Sequence, residues 1–280
     1  MIISGKDIAQ NIKCDIKNII EKECIANGKR TPSLATIIVG DNPASKLYVA
    51  NKERACQEVG INAVVLHFPE DISEARLLSH IDYLNEDNTV DGILVQLPLP
   101  KHINTDKVLK EISPAKDVDG FHPDNVANLW LNQDCLVPCT PQGIMEMMDR
   151  TGITLEGKHV VVLGRSNIVG LPVAKLCLDR NATVTICHSK TQNLADITKQ
   201  ADVLIVAIGK PKFVTEDMVK SGAIVIDVGI NRVNGKVCGD VDFDSVERKA
   251  SYITPVPNGV GPMTIACLLM NTLECYKQRL

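Results

Sequence analysis

The chain has 280 residues, 45% of them hydrophobic and 23% charged, with a formal net charge of −4 at pH 7. That length admits two domains of ordinary size, and the composition is that of a soluble globular protein rather than a disordered one. The acidic balance argues against nucleic acid as a partner, and no apolar run approaches the roughly 18 residues that span a bilayer, so no membrane partner is expected.

The opening Met-Ile-Ile-Ser-Gly-Lys-Asp lacks a basic-then-apolar signal segment, which makes the cytoplasm the expected compartment. Ser4 and Asp7 form a helix-start box, Ile8, Ile12, Ile16 and Ile19 follow at helical spacing, and Gly28 is the expected stop. A β-branched run over 34–39 reads as a strand. A helix from about Pro43 to Val59, closed by Gly60, comes next. Two further buried strands are expected over 63–68 and 92–95, with a helix begun by Ser73 between them. This alternation is βαβ logic and implies a parallel sheet covered by helices.

A polar, proline-marked stretch from Ser113 to Cys139 interrupts the alternation, and Thr140-Pro141 restarts it as an N-cap with proline at the first helical position. Strands are then expected near 159–163, 183–187, 203–207, 224–228 and 252–254, with helices near 169–180, 191–200 and 215–220. Met263 to Gln278 reads as a long final helix with Ile265, Leu268, Leu269, Thr272 and Leu273 on one side. The expected organisation is an α/β fold with one domain over 1–139 and a second over 140–264, the last helix (265–280) packing back on the first. Ten cysteines, such as Cys14, Cys24, Cys56 and Cys267, are scattered through these elements and read as thiols rather than disulfide partners. Cys135 and Cys139 have no histidine nearby, and neither Cys-x-x-Cys nor His-Glu-x-x-His occurs, so no metal site is expected.

The strand over 160–163 runs into Gly164-Arg165-Ser166-Asn167-Ile168-Val169-Gly170. A strand, glycine loop and helix in that order can seat a diphosphate against backbone N–H groups. The loop departs from Gly-x-Gly-x-x-Gly, with Ser166 and Val169 where that pattern has glycine. No carboxylate lies between Asp179 and Asp196, where an NAD site would place one on the ribose 2′-hydroxyl. Arg165, Ser189 and Lys190 could instead receive a 2′-phosphate, which points to NADP. The competing reading is a glycine turn that serves packing alone. Small residues after two later strands, at Gly209 and Gly229, weigh against it, because the carboxyl ends of parallel strands are the ligand-binding edge.

In the first half, Tyr48 and Lys52 lie four apart on one helix face, Gln96 ends a strand, and Asp117 and Asp119 sit in a loop. A lysine shielded from water can exchange a proton near neutral pH, and an aromatic ring can stack on a heterocycle. Taken singly, a Tyr/Lys pair is more often an ordinary surface pair, and either aspartate could cap a turn.

Five motifs taken together narrow this choice. Tyr48-Val-Ala-Asn-Lys52, Gln96-Leu-Pro-Leu-Pro100, Lys116-Asp-Val-Asp-Gly120, Gly164 to Gly170, and Pro255-Val-Pro-Asn-Gly-Val-Gly-Pro-Met-Thr264 occur in one order. The chain resembles the bifunctional methylenetetrahydrofolate dehydrogenase/methenyltetrahydrofolate cyclohydrolase family over essentially its whole length. The resemblance implies two α/β domains flanking a cleft, the second a Rossmann-like doubly wound parallel sheet that binds NADP. It implies NADP-dependent oxidation of 5,10-methylenetetrahydrofolate to the 5,10-methenyl cation, and hydrolysis of that cation to 10-formyltetrahydrofolate for purine biosynthesis. By similarity, Lys52 assists proton movements, Tyr48 stacks on the folate, Gln96 hydrogen-bonds to Lys52, and Asp119 binds the pterin edge. Gly164, Arg165, Ser166, Ser189, Ile230 and Thr264 carry over as cofactor contacts, and Pro255, Gly259 and Pro262 as the substrate-side loop. One departure is Asn258, which stands where the family commonly has glycine; asparagine tolerates a left-handed backbone. The resemblance also implies a homodimer, and a chain of this length leaves no room for the formyltetrahydrofolate synthetase module of some relatives. Its alternatives are a member with one activity, another NADP-dependent two-domain oxidoreductase, and a nucleotide-sensing module without catalysis.

Overall fold

The computed structural model describes residues 1–279. The chain divides into two compact units: Gln10–Cys139 with Ile265–Leu280, and Met1–Ala9 with Thr140–Thr264. Nothing in the patterning assigns the first nine residues to the later unit. They belong there because Ile2 bridges Ile253 and the Ile3 N–H donates to the Ile253 carbonyl at 2.9 Å.

After helix α1 (Gly5–Glu23), the first unit is built on three parallel strands, β1 (Ser33–Val39), β2 (Asn62–Phe68) and β3 (Gly92–Val95), in the order β2-β1-β3. All seven residues of β1 are buried, as a central parallel strand covered on both faces requires. Helix α2 (Pro43–Val59) starts where Asn42 Oδ1 accepts the N–H groups of Ala44 and Ser45, and it ends at Gly60, whose φ of +88° few other residues adopt. Helix α3 (Glu74–Glu86) is capped by Ser73, whose Oγ accepts the Arg76 N–H at 3.3 Å. Ile37, Val39, Leu77, Ile81, Ile93 and Val95 form the core between sheet and helix.

Helix α4 (Thr105–Glu111) follows β3, and the stretch expected to be irregular carries α5 (Pro123–Trp130). Its start was hidden in the sequence because the capping group is a histidine ring: His122 Nδ1 accepts the Asp124 N–H at 3.0 Å. Helix α6 (Cys139–Arg150) places Thr140 inside its first turn rather than at the cap, and the Thr140 hydroxyl pairs with that of Thr264 at 3.0 Å.

The second unit carries a five-stranded parallel sheet of β4 (His159–Leu163), β5 (Thr183–Cys187), β6 (Val203–Val206), β7 (Ile224–Asp227) and a two-residue strand over 252–253. The spatial order is 252–253, β7, β6, β4, β5, so the chain goes one way from β4 to reach β5 and the other way to reach β6. That reversal is a topological switch point, where side-by-side loops open a crevice at the carboxyl ends of the strands. Helix α7 (Gly170–Asp179) matches its expected span, whereas the next expected helix shortens to α8 (Leu194–Thr198) and the third to one 3₁₀ turn (Glu216–Met218). An unexpected antiparallel hairpin, β8 (Asn231–Val233) and β9 (Lys236–Cys238), turns at Asn234-Gly235, both at positive φ. After α9 (Phe243–Val246) and β10 (Tyr252–Ile253), helix α10 (Val260–Lys277) closes the chain. From Ile265 onward it belongs to the first unit, where Leu268, Leu269, Thr272 and Leu273 are buried. There the Tyr276 hydroxyl donates to the Arg30 carbonyl at 2.8 Å.

Candidate active and nucleotide sites

In the first unit, α2 carries Tyr48 and Lys52 one turn apart, and β3 delivers Gln96 just past its end. Lys52 Nζ donates to Gln96 Oε1 at 3.1 Å. The Gln96 amide is held from its other side, since Nε2 donates to the Leu97 carbonyl at 2.7 Å and the backbone N–H to Ile37 at 2.8 Å. The amide oxygen therefore faces the lysine, with no competing donor among the described residues. Tyr48 is 44% exposed, which leaves its ring face open to a ligand.

Asp119 lies near enough to Lys52 for charge attraction. Burial pushes its carboxyl above the ordinary range, opposed by the Lys52 charge and by the Cys139 thiol, whose Sγ lies 3.9 Å from Asp119 Oδ1. Three anchors hold the loop. Lys116 Nζ donates to the carbonyls of Leu84 and Asp87, both at 2.8 Å, and caps the end of α3. Asp117 accepts the His122 N–H at 2.7 Å and the Asn125 side chain at 3.0 Å. Asn271, on α10, donates to the carbonyls of Val118 at 2.8 Å and Val137 at 3.0 Å. Gly120, at φ +71°, lies so near that a Cβ would stand 2.6 Å from the Pro138 nitrogen. Of the two candidate turn-capping aspartates, Asp117 is the structural one, and Asp119 stays near Lys52.

In the second unit, a cavity of about 270 Å³ opens at the switch point. The ends of β4, β5 and β6 contribute Gly164 and Arg165, His188 and Ser189, and Ile208, Lys210 and Phe213. Its lining holds two basic residues and no carboxylate, as a site for an anionic nucleotide requires. Gly164 has φ +130°, and a Cβ there would strike the Ala207 carbonyl; a Cβ on Gly170 would strike the Gly164 carbonyl. The two glycines thus let the strand end, the neighbouring loop and α7 approach closely, as in dinucleotide sites. Ser166 Oγ accepts the N–H groups of Val169 at 3.2 Å and Gly170 at 3.3 Å, so it shapes the start of α7. The sequence pattern does not single out His188, Lys210 and Phe213 as site residues, although the first two are polar residues just past strand ends and carry a signal on that ground.

The remaining expected contacts lie outside that cavity lining. Ile230 is 52% exposed on the loop after β7, and the Thr264 hydroxyl is paired with Thr140. Pro255 and Gly259 share a loop, where a Cβ on Gly259 would meet the Pro255 carbonyl, whereas Pro262, expected in the same loop, lies in the first turn of α10. Asn258 adopts φ +78°, the left-handed conformation that a glycine would otherwise supply, and its carbonyl accepts the Lys6 N–H at 3.1 Å. Among the described residues there is no cluster of histidine, cysteine, aspartate or glutamate that could hold a metal, and no helix long and apolar enough to cross a membrane.

Two family models match this chain, one over each half. One, described as tetrahydrofolate dehydrogenase/cyclohydrolase, catalytic domain, covers residues 3–119, and the NAD(P)-binding domain of the same family covers 138–280. The chain belongs to the tetrahydrofolate dehydrogenase/cyclohydrolase family. A Bacillus anthracis member named Bifunctional protein FolD is 55% identical over 279 residues, which is 99% of this chain and 97% of that one. The crystal structure of the bifunctional FolD enzyme from Campylobacter jejuni superposes with a TM-score of 0.98 at 50% identity, covering 100% of this chain and 99% of that one. The Trypanosoma brucei FolD structure, complexed with NADP cofactor and inhibitor, gives a TM-score of 0.94 at 38% identity, covering 99% and 97%. In this tetrahydrofolate dehydrogenase/cyclohydrolase, Tyr48, Lys52, Gln96 and Asp119 all come from the catalytic-domain match, and the basic cavity from the NAD(P)-binding match.

Proposed function

We propose that this chain oxidises 5,10-methylenetetrahydrofolate with NADP and hydrolyses the resulting 5,10-methenyl cation to 10-formyltetrahydrofolate. The observation that carries the reading is the Lys52 Nζ–Gln96 Oε1 hydrogen bond at 3.1 Å, with Asp119 close by. Family membership and the naming of its relatives as bifunctional FolD enzymes support both activities.

The first reaction moves a hydride, with its electron pair, from the one-carbon bridge and releases no proton. It requires donor and acceptor carbons held about 3–3.5 Å apart and no acid or base. NADP, when bound, supplies the nicotinamide carbon that takes the hydride. The cavity lined by Gly164, Arg165, Ser189 and Lys210 suits its phosphates, with Arg165 and Ser189 on the 2′-phosphate. The second reaction needs proton management. Water oxygen bonds to the cationic carbon, a water proton must leave, and a proton must reach the ring nitrogen as its C–N bond breaks; one proton is released overall. Lys52 carries the proton between these positions, and Gln96 aims its Nζ. Asp119 accepts from the pterin N–H groups, and the open face of Tyr48 stacks on the folate ring. Pro255, Gly259 and Pro262 line the substrate-side loop, and Ile230 and Thr264 contact the cofactor.

The reading extends to a cytoplasmic homodimer whose product supplies formyl groups to purine biosynthesis; sedimentation of the purified chain tests the dimer. A stopped assay with 5,10-methylenetetrahydrofolate and either NADP or NAD, followed by methenyl hydrolysis, tests the chemistry. NADP-linked oxidation and hydrolysis are expected, and turnover of neither folate would overturn the proposal.

A further inference from the structure

Asp240 is fully buried at the carboxyl edge of the second unit's sheet, just after the β8–β9 hairpin, and the chemistry above does not use it. Its Oδ2 accepts the backbone N–H groups of Ile208 at 2.7 Å and Gly209 at 2.9 Å, and its Oδ1 accepts Asn231 Nδ2 at 2.8 Å. The Asp240 N–H donates to Asp227 Oδ1 at 3.0 Å, an oxygen that also takes the Gly229 N–H at 3.0 Å. The other Asp227 oxygen accepts the Val241 N–H at 2.9 Å. Two carboxylates thus tie these segments together: Asp240 joins the loop after β6 to Asn231 of β8, and Asp227 joins the loop after β7 to the backbone after β9. There is no slack in the arrangement, because a Cβ on Gly229 would strike Asp240 and one on Gly239 would strike Asp227.

The loop after β6 is also a wall of the nucleotide cavity, through Ile208, Lys210 and Phe213. Lys210 Nζ stands 5.2 Å from the Phe213 ring centre, so this wall presents a cation beside an aromatic ring. Successive N–H groups in such a turn, with Gly209 at φ +64°, are the donors that elsewhere form an anion nest. Here an internal carboxylate takes both of them. The turn is therefore fixed from behind, and its contribution to the cavity is made by side chains.

We propose that Asp240 is a positioning residue for NADP, locking the Ile208–Gly209 turn so that Lys210 and Phe213 face the adenosine end of the nucleotide beside Arg165 and Ser189. The inference rests on the NADP reading given above and deepens it.

The test uses the full chain with NADP and 5,10-methylenetetrahydrofolate, and measures NADP affinity directly by calorimetry. Asp240→Ala should raise the KM and Kd for NADP about tenfold or more, as expected for releasing a charge-assisted pair of bonds, while kcat at saturating NADP falls less than about threefold. A merely structural role would lower kcat with the folded fraction and leave KM unchanged, which would overturn the proposal. Asn231→Asp alone sets a second carboxylate against that of Asp240, a clash that no rotation relieves, and should also weaken NADP. Combining Asn231→Asp with Asp240→Asn exchanges the partners: the amide oxygen at position 240 meets the two N–H groups, and its NH₂ donates to the carboxylate at 231. That pair should return the NADP KM and Kd to within about threefold of the parent, and it keeps the test open should Asp240→Ala not fold. Unchanged NADP affinity in Asn231→Asp, or no recovery in the exchanged pair, would overturn the proposal. A parent that binds NADP and oxidises no folate would refute the enzymatic reading, and the Kd comparison would still decide the role of Asp240.

Discussion

The two units build their candidate sites by different means. In the first, side chains from separate elements meet: Lys52 from α2, Gln96 from the end of β3 and Asp119 from a loop braced by α10. In the second, backbone geometry makes the space, through Gly164 and Gly170, and buried carboxylates fix the loops around it. A proton-transfer site needs a few functional groups at defined separations. A nucleotide site needs room at a strand end and favourable charge. Substitutions in the first unit should therefore act on chemistry and folate binding, and substitutions in the second on nucleotide affinity.

The largest expected effect breaks the comparison if it fails. Lys52→Met should lower methenyl hydrolysis by a factor on the order of 10²–10⁴, the usual worth of a positioned acid–base group, with NADP affinity unchanged by calorimetry. Hydrolysis at the parental rate would remove the lysine from the mechanism. Next, Arg165→Ala should weaken NADP by about 10- to 100-fold and NAD by less than about twofold, because only NADP carries the 2′-phosphate. Equal weakening of both nucleotides would refute the 2′-phosphate contact. Asn271→Leu should cost about 1–3 kcal/mol in denaturant unfolding, since it removes the amide that the Val118 and Val137 carbonyls share and leaves Val118 only the weaker Cys139 thiol. The same variant should reduce folate affinity more than NADP affinity; the opposite order would place the α10 anchor in the wrong site.

The smallest effects are pH slopes of opposite sign. Burial pushes Asp227 up to about 6 against its three backbone N–H partners. With a folded value above the unfolded one near 4, its stabilising contribution is complete below about pH 4 and is lost as pH rises through 6. Burial lowers Lys116 to about 8. Between that value and about 10.5 the unfolded chain binds more protons, so this group makes stability rise with pH across that window. Urea unfolding at stepped pH should show Asp227→Asn removing the first slope and Lys116→Met the second, each at most about 1.4 kcal/mol per pH unit. A slope that survives its substitution would assign the titration to another group.

Much of this was legible in the residues. The apolar run of β1, the Asn42-Pro43 start and Gly60 end of α2, and the glycine-bounded turn after β4 are local signals, and each element formed where those signals lie. The shortened α8 and the 3₁₀ turn at Glu216–Met218 were overestimated, since helical spacing does not reveal where a short segment stops. The hairpin at Asn234-Gly235 carries a local turn signal, whereas α5, capped by a histidine ring, has none of the usual kind.

By itself the sequence determined the alternation of elements, the carboxylate-free nucleotide strand and the five motifs that mark the family, because each depends on neighbours within a few residues. Only the tertiary structure decided which aspartate stays near Lys52, which helix braces the loop carrying it, and that Asp240 takes the N–H groups of a turn more than thirty residues earlier. The Asn271–Val118 bond spans 153 residues. A contact of that span leaves no periodicity in the chain. It exists only once burial has brought a donor to a carbonyl that would otherwise lose its hydrogen bond to water.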